Sequence, residues 1–143
     1  MNFLFRFGAV GGDEVVGWAD VKVTDPSPIP DALLDLVQTA PKNTAAIISH
    51  LTNLSRGADY WSAFRQTLGL LHDYLVVNRS EGERIARALY CFGISEHAGD
   101  VPDDLNFIFC CDDGFSLVRD GVLGSLEDVQ NQFLEQLSQF RTL

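Results

Sequence analysis

Hydrophobic residues in the middle of the chain recur at the spacing of amphipathic helices. Between residues 59 and 75 they are separated by three or four positions, which places them on one face of a helix. The residues of this stripe are Trp61, Phe64, Leu68, Leu71 and Leu75. Residues 31–39, 44–55 and 80–93 show the same spacing over shorter lengths. The pattern therefore predicts four helices in this part of the chain.

Two serines mark expected helix starts. Ser80 is followed three residues later by Glu83, which is the spacing of a capping box. Ser125 precedes a last apolar stripe and has Asp128 in the following turn, where a carboxylate stabilises a helix N-terminus. We therefore expect Ser80 to cap the fourth helix and Ser125 to begin a fifth.

The remaining apolar segments have the composition of β-strands. Residues 3–7 and 14–23 are rich in Phe, Val and Trp, and the glycines between them favour a turn, so they predict an N-terminal hairpin. Residues 105–111 and 115–119 flank Asp112-Asp113-Gly114, which has the composition of a tight hairpin turn.

Together these elements predict an α+β fold. In it, a small and mostly antiparallel sheet, made of the N-terminal hairpin and the strands near 105–119, packs against about five helices. A chain of 143 residues suits one domain, so we expect residues 1–143 to form a single globular unit.

The composition narrows the classes of partner. Hydrophobic residues make up 46% of the chain and charged residues 21%, as in folded proteins rather than disordered ones. The net charge is -10, which argues against binding to nucleic acids or anionic membranes because both need Lys and Arg. With no apolar window of membrane-spanning length and no signal-like start, we expect a cytoplasmic protein.

Acidic residues are concentrated after residue 88. Residues 88–143 contain ten acids and two bases, a segment charge of -8. Seven of these acids lie close together along the sequence, in a predicted loop and hairpin. They are Glu96, Asp100, Asp103, Asp104, Asp112, Asp113 and Asp120. We predict that they form one negative surface that binds a partner, although solubility alone would also explain them.

The middle of the chain is basic and its positive charge is carried mainly by arginine. Arg84 and Arg87 are one helical turn apart. They could bind an external anion or pair with acids of the same protein, and we favour the internal pairing.

The cysteines and histidines do not have the spacing of a disulfide scaffold or a metal site. Three cysteines, Cys91, Cys110 and Cys111, are an odd number, so we expect reduced thiols, and at least one of the adjacent pair should pack inward. The three histidines do not complete a zinc ligand set with them. We predict no metal and no cofactor.

No catalytic motif is recognisable in the sequence. Ser95, Glu96 and His97 are neighbours, whereas the members of a catalytic triad come from separate elements. Whether the protein is an enzyme therefore stays open, and a binding function is favoured.

In size and charge the chain is similar to bacterial immunity proteins, the small acidic inhibitors of basic toxins. This similarity implies a protein that neutralises a cationic partner, such as a cognate toxin, by binding it. One alternative is a small enzyme or ligand-binding protein with a pocket between helices and sheet, lined by Cys91, His97, Tyr90 and the arginines. Another is a structural subunit of an assembly. The pattern predicts no particular oligomeric state.

Overall fold

The computed structural model describes residues 1–25, 27–96, 100–122 and 124–141. Within these residues the chain is helical and has no β-strand. The predicted α+β fold with an antiparallel sheet is therefore wrong, and the fold is all-helical. The chain divides into two compact units, Met1–Tyr60 and Trp61–Leu143. The expectation of a single domain stays a prediction.

The first unit contains four helices around a small apolar core. They are α1 (Asn2–Arg6), α2 (Gly12–Lys22), α3 (Asp31–Val37) and α4 (Thr44–Leu54). Helix α3 packs against both α2 and α4. The core consists of Val15, Ala19, Leu33, Leu36, Ile47 and Leu51. Helices α3 and α4 confirm the predictions for residues 31–39 and 44–55.

The predicted N-terminal hairpin is replaced by α1 and α2. Phe3 and Phe7 are four residues apart, and their buried rings stack with centroids 6.2 Å apart. A helix brings side chains at this separation together, which explains why this apolar segment is helical. In the glycine-rich segment, Gly11 precedes α2 as its N-cap, and its backbone N–H donates to the Glu14 carboxylate at 2.7 Å. The glycines therefore begin a helix and do not form a hairpin turn.

The second unit is built around the longest helix of the described chain. Helix α5 (Tyr60–Val77) begins at the unit boundary and is followed by a 3-10 turn (Arg79–Glu81) and α6 (Gly82–Glu96). A 3-10 helix (Asp103–Phe109), α7 (Asp113–Arg119) and α8 (Leu126–Ser138) complete it. The predicted stripe of α5 is confirmed, because Trp61 is half-buried and the other four members are buried.

Residues 105–119 form helices where strands were predicted. Leu105 and Ile108 are fully buried and three residues apart, which is the repeat of a 3-10 helix. The Asp-Gly sequence that predicted a hairpin turn begins α7: Asp112 is its N-cap residue and Asp113 lies in its first turn. A carboxylate at this position is stabilised by the helix dipole, so the same residues suit a helix start as well as a turn.

The two predicted caps have different outcomes. The Ser125 hydroxyl accepts a hydrogen bond from the backbone N–H of Asp128 at 3.3 Å, which confirms it as the N-cap of α8. Ser80 lies inside the 3-10 turn that leads into α6, so it does not immediately precede the helix. None of the helices in the described ranges is long and apolar enough to cross a lipid bilayer.

The buried face of α5 can be tested with leucines of the same helix. Leu68 and Leu71 are fully buried, whereas Leu70 is 53% exposed. We expect Leu68→Ala and Leu71→Ala each to lower the free energy of unfolding by about 2–5 kcal/mol, because each leaves a cavity. Leu70→Ala makes the same chemical change at the surface and should cost far less. Urea denaturation measures all three, and equal losses would contradict the assigned face.

Candidate functional site

The seven predicted acids all lie in the second unit, on short elements that follow α6. Glu96 is the last residue of α6, and its side chain lies outside what the structure describes. Asp103 and Asp104 are in the first turn of the 3-10 helix. The others are Asp100, Asp112, Asp113 and Asp120, of which the last is the C-cap of α7. Asp112 is buried, whereas Asp100, Asp103, Asp104, Asp113 and Asp120 are exposed.

Asp104 is held by an arginine of α5. The Arg65 guanidinium donates through Nε to one carboxylate oxygen at 2.7 Å and through a terminal nitrogen to the other at 2.9 Å. This two-point geometry is the strongest that an arginine makes with a carboxylate. The hydrogen bond from Arg65 lowers the pKa of Asp104 below its usual value. Asp104 is therefore engaged within the unit.

Asp112 is the buried member of the predicted set. Only 4% of the residue is exposed, and its carboxylate accepts a hydrogen bond from Arg87 of α6 at 2.7 Å. The Arg87 guanidinium also lies over the Tyr90 ring, 5.4 Å from its centroid. Asp112 is the N-cap residue of α7, but its side chain turns toward Arg87 and makes no capping hydrogen bond with the helix.

The favoured internal pairing of the two α6 arginines is confirmed. Arg87 pairs with Asp112 of the predicted acidic set, while Arg84 pairs with Glu81 of the 3-10 turn through Nε at 2.6 Å. The pairing with Glu81 joins residues three apart along the chain, whereas the pairing with Asp112 links α6 to α7.

A cavity of about 510 Å³ lies beside these ion pairs, and we call it the arginine cavity. Three arginines and two carboxylates line it together with two hydroxyl groups. The lining residues are Ser80, Glu83, Arg84, Arg87, Asp112, Ser116 and Arg119. In it, Arg119 of α7 donates to Glu83 of α6 at 2.6 Å and to the Ser116 hydroxyl at 3.4 Å.

Sequence reasoning identified only part of the arginine cavity. Arg84 and Arg87 stood out by their spacing of one turn, but Ser80, Ser116 and Arg119 were not connected with them. Arg119 did carry a signal, because it is the one base between Glu96 and Asp120. We expected, as an alternative, a pocket between helices and sheet. Since the described residues form no sheet, the cavity lies instead on residues of the 3-10 turn, α6 and α7, together with the α7 N-cap Asp112.

The other candidates for chemistry are dispersed. Cys91 is exposed on α6, Tyr90 packs against Arg87, and His97 lies outside the described residues. In the part of the chain that the structure describes, no three His, Cys, Asp or Glu side chains are grouped as a metal site.

The adjacent cysteines differ in environment. Cys110 is exposed, whereas Cys111 is buried, and its Sγ donates to the backbone carbonyls of Ala86 at 3.2 Å and Ile108 at 3.4 Å. Burial raises the pKa of the Cys111 thiol strongly, and the neighbouring Asp112 carboxylate raises it further. Cys111 packs inward, as predicted for one of the adjacent pair. The two cysteines lie in a turn, however, and not in the strand that the sequence predicted.

Comparisons with known proteins add no family to this description. No protein-family model matches the chain, and neither a curated protein nor a solved structure shows significant similarity to it.

The different cysteine environments predict two classes of thiol reactivity. At neutral pH, exposed Cys91 and Cys110 should react with a disulfide reagent such as Ellman's reagent, while Cys111 should react far more slowly because it is buried and protonated. Stopped-flow absorbance measurements with and without denaturant distinguish the two classes of thiol by their reaction rates. Denaturation should make the third thiol react. Equal rates for all three in the native protein would contradict this environment.

The two acids Asp112 and Asp103 should differ in their contribution to stability. We expect Asp112→Asn to lower the free energy of unfolding by about 1–3 kcal/mol, because it breaks a charged hydrogen bond at a buried position. Asp103→Asn makes the identical change at an exposed position and should stay within about 0.5 kcal/mol of the parent. Equal effects in urea denaturation would show that the Asp112 ion pair does not stabilise the fold.

Proposed function

We propose that the protein binds a cationic protein partner through the exposed acids of residues 100–120. We define this acidic surface as Asp100, Asp103, Asp113 and Asp120, the four predicted acids that are exposed and have no close ion pair in the described chain. Asp104 and Asp112 are left out because arginines of the same unit already bind them. Glu96 remains a candidate from the sequence alone.

The observation that carries this proposal is how the arginines of the second unit are engaged. Residues 61–143 contain thirteen acids and six arginines, a net charge of -7. Five of the arginines form ion pairs, and their acidic partners are Asp73, Glu81, Glu83, Asp104 and Asp112. The sixth, Arg79, donates to the Asn131 side chain at 2.9 Å.

This engagement leaves the excess negative charge on other carboxylates. In the described chain, Asp100, Asp103 and Asp113 have no ion pair, and Asp120 has only a long one, 3.9 Å from Arg119. These carboxylates have little internal counter-charge, so their field extends into the solvent. Such a field accelerates the approach of a cationic protein and gives the complex its electrostatic specificity.

Size and charge support an inhibitor of the immunity type. A small acidic protein whose surface carboxylates are not neutralised internally is suited to cover a basic protein and block it. We place this function in the cytoplasm, where thiols such as the exposed Cys91 and Cys110 stay reduced.

The test is the binding rate of the purified product of the neighbouring gene, because an immunity protein is normally encoded beside its toxin. The test variant combines Asp100→Asn, Asp103→Asn and Asp113→Asn. We expect a slower association rate for it and, in the parent, an association rate that falls as salt is added, since the Debye length shortens from about 10 Å at 0.1 M to about 3 Å at 1 M. Surface plasmon resonance measures both effects.

The matched control removes the same charge elsewhere. Asp20→Asn, Asp25→Asn and Asp35→Asn change three exposed acids of the first unit, so both triple variants have a net charge of about -7. If both triple variants associate at the parental rate, or if the association rate falls equally in both, the acidic surface is not the binding site. Polylysine serves as a probe of charge attraction without specificity, and the cognate partner should bind more tightly than it does.

A further inference from the structure

We infer that the arginine cavity binds a small oxyanion, a ligand that carries phosphate or carboxylate groups. This goes beyond the proposed function, because the ligand has the opposite charge to the proposed protein partner and, among the described residues, the cavity shares no lining residue with the acidic surface. The cavity presents oriented hydrogen-bond donors and lacks the excess negative charge of the surrounding unit.

The hydrogen-bond donors of the cavity are not exhausted by the internal ion pairs. A guanidinium has five N–H donors in a planar fork that matches the oxygens of a carboxylate or phosphate. Within the described residues, the only hydrogen bond of the Arg87 side chain goes through one terminal nitrogen to Asp112. The side chains of Arg87 and Arg119 are each 63% exposed. Both arginines can therefore donate to a ligand without giving up their carboxylate partners.

The carboxylates hold these two guanidinium groups in place before any ligand arrives. Asp112 is buried and binds Arg87, while Tyr90 supports the same guanidinium from its ring face. Glu83 holds Arg119 across from α6 to α7. A donor that is already oriented loses less side-chain entropy on binding, so the ion pairs favour ligand binding even though they neutralise charge.

The cavity lacks the excess negative charge of the unit around it. Its lining has three arginines against two carboxylates, and Glu81 beside the lining pairs with Arg84. The three arginines and their three close carboxylate partners therefore balance, whereas the unit as a whole has -7. The hydroxyls of Ser80 and Ser116 add donors without adding charge. An oxyanion is the ligand class whose atoms accept from all of these groups.

The size and lining of the cavity restrict the ligand further. A volume of about 510 Å³ lies within the range of small-molecule sites, about 300–1,000 Å³, and exceeds what one inorganic phosphate fills. None of the described lining residues is aromatic, so the cavity offers no ring on which a nucleobase could stack. The lining thus suits a compact ligand with several anionic groups, of the size of pyrophosphate or citrate.

The experiment is a titration of the intact protein with pyrophosphate and, separately, with citrate, by isothermal calorimetry at constant ionic strength. These two probes distinguish phosphate from carboxylate chemistry. Chloride, added as sodium chloride, is the control anion, because a single atom cannot bridge two guanidinium groups in the way that a polyanion does. We expect saturable binding of at least one probe with one site per chain. No saturable binding of either probe at millimolar concentration would overturn the inference.

Arg119→Gln tests the site and Arg141→Gln is its matched control. Each substitution removes one exposed arginine that has one close carboxylate partner in the second unit, Glu83 for Arg119 and Asp73 for Arg141. Arg141 does not line the arginine cavity. We expect Arg119→Gln to weaken binding by about tenfold and Arg141→Gln to leave it close to parental. Equal affinities of the two variants would show that charge alone, and not this cavity, attracts the anion.

A second readout locates the ligand without any substitution. In proton–nitrogen correlation spectra of the parent, pyrophosphate or citrate should shift the backbone amides of the 3-10 turn and of Ser116, with the side-chain Nε signals of Arg87 and Arg119. Shifts confined to the first unit, or spread evenly over both units, would overturn the assignment to the arginine cavity.

Discussion

Burial of the Asp112 carboxylate constrains the arrangement of charged residues in the second unit. A lone carboxylate at a position only 4% exposed would lose its hydration without compensation, at a cost of several kcal/mol. Arg87 supplies the compensating charge, which requires α6 to present this arginine to the start of α7. The adjacent Cys111 thiol donates to the Ala86 carbonyl and joins the same two regions by a second contact. Arg87, oriented in this way, also lines one side of the arginine cavity.

The same principle of pairing separates the acids that stabilise the unit from those that are available to a partner. Asp103 and Asp104 are exposed neighbours in the 3-10 helix Asp103–Phe109, yet Arg65 binds Asp104 at two points while Asp103 has no ion pair in the described chain. The result is a unit whose arginines are engaged internally and whose excess charge is negative. Ligands of opposite charge then suit two regions of the unit. A cationic protein suits the acidic surface, and a small oxyanion suits the arginine cavity.

Short apolar segments explain where the predicted fold failed. Residues 3–7 contain alternating phenylalanines, which fit one face of a strand, but Phe3 and Phe7 also meet on one face of a helix. Over five residues the two periods cannot be distinguished. At residues 105–111 the strand propensity of Phe and Ile was outweighed by the burial of Leu105 and Ile108 at a spacing of three. In both cases tertiary packing decided between local conformations of similar energy.

The sequence by itself determined the helices with long or well-capped apolar stripes. The face of α5 and the Ser125 cap follow from side-chain spacing and local hydrogen bonding, which act within a few residues. It also determined the net charge and its concentration after residue 88. Only the tertiary structure decided which acids are free, because Arg65 and Asp104 are 39 residues apart and Arg87 and Asp112 are 25 apart. An ion pair depends on the distance between two side chains and on their burial. The pattern of charges along the sequence gives no information on either quantity.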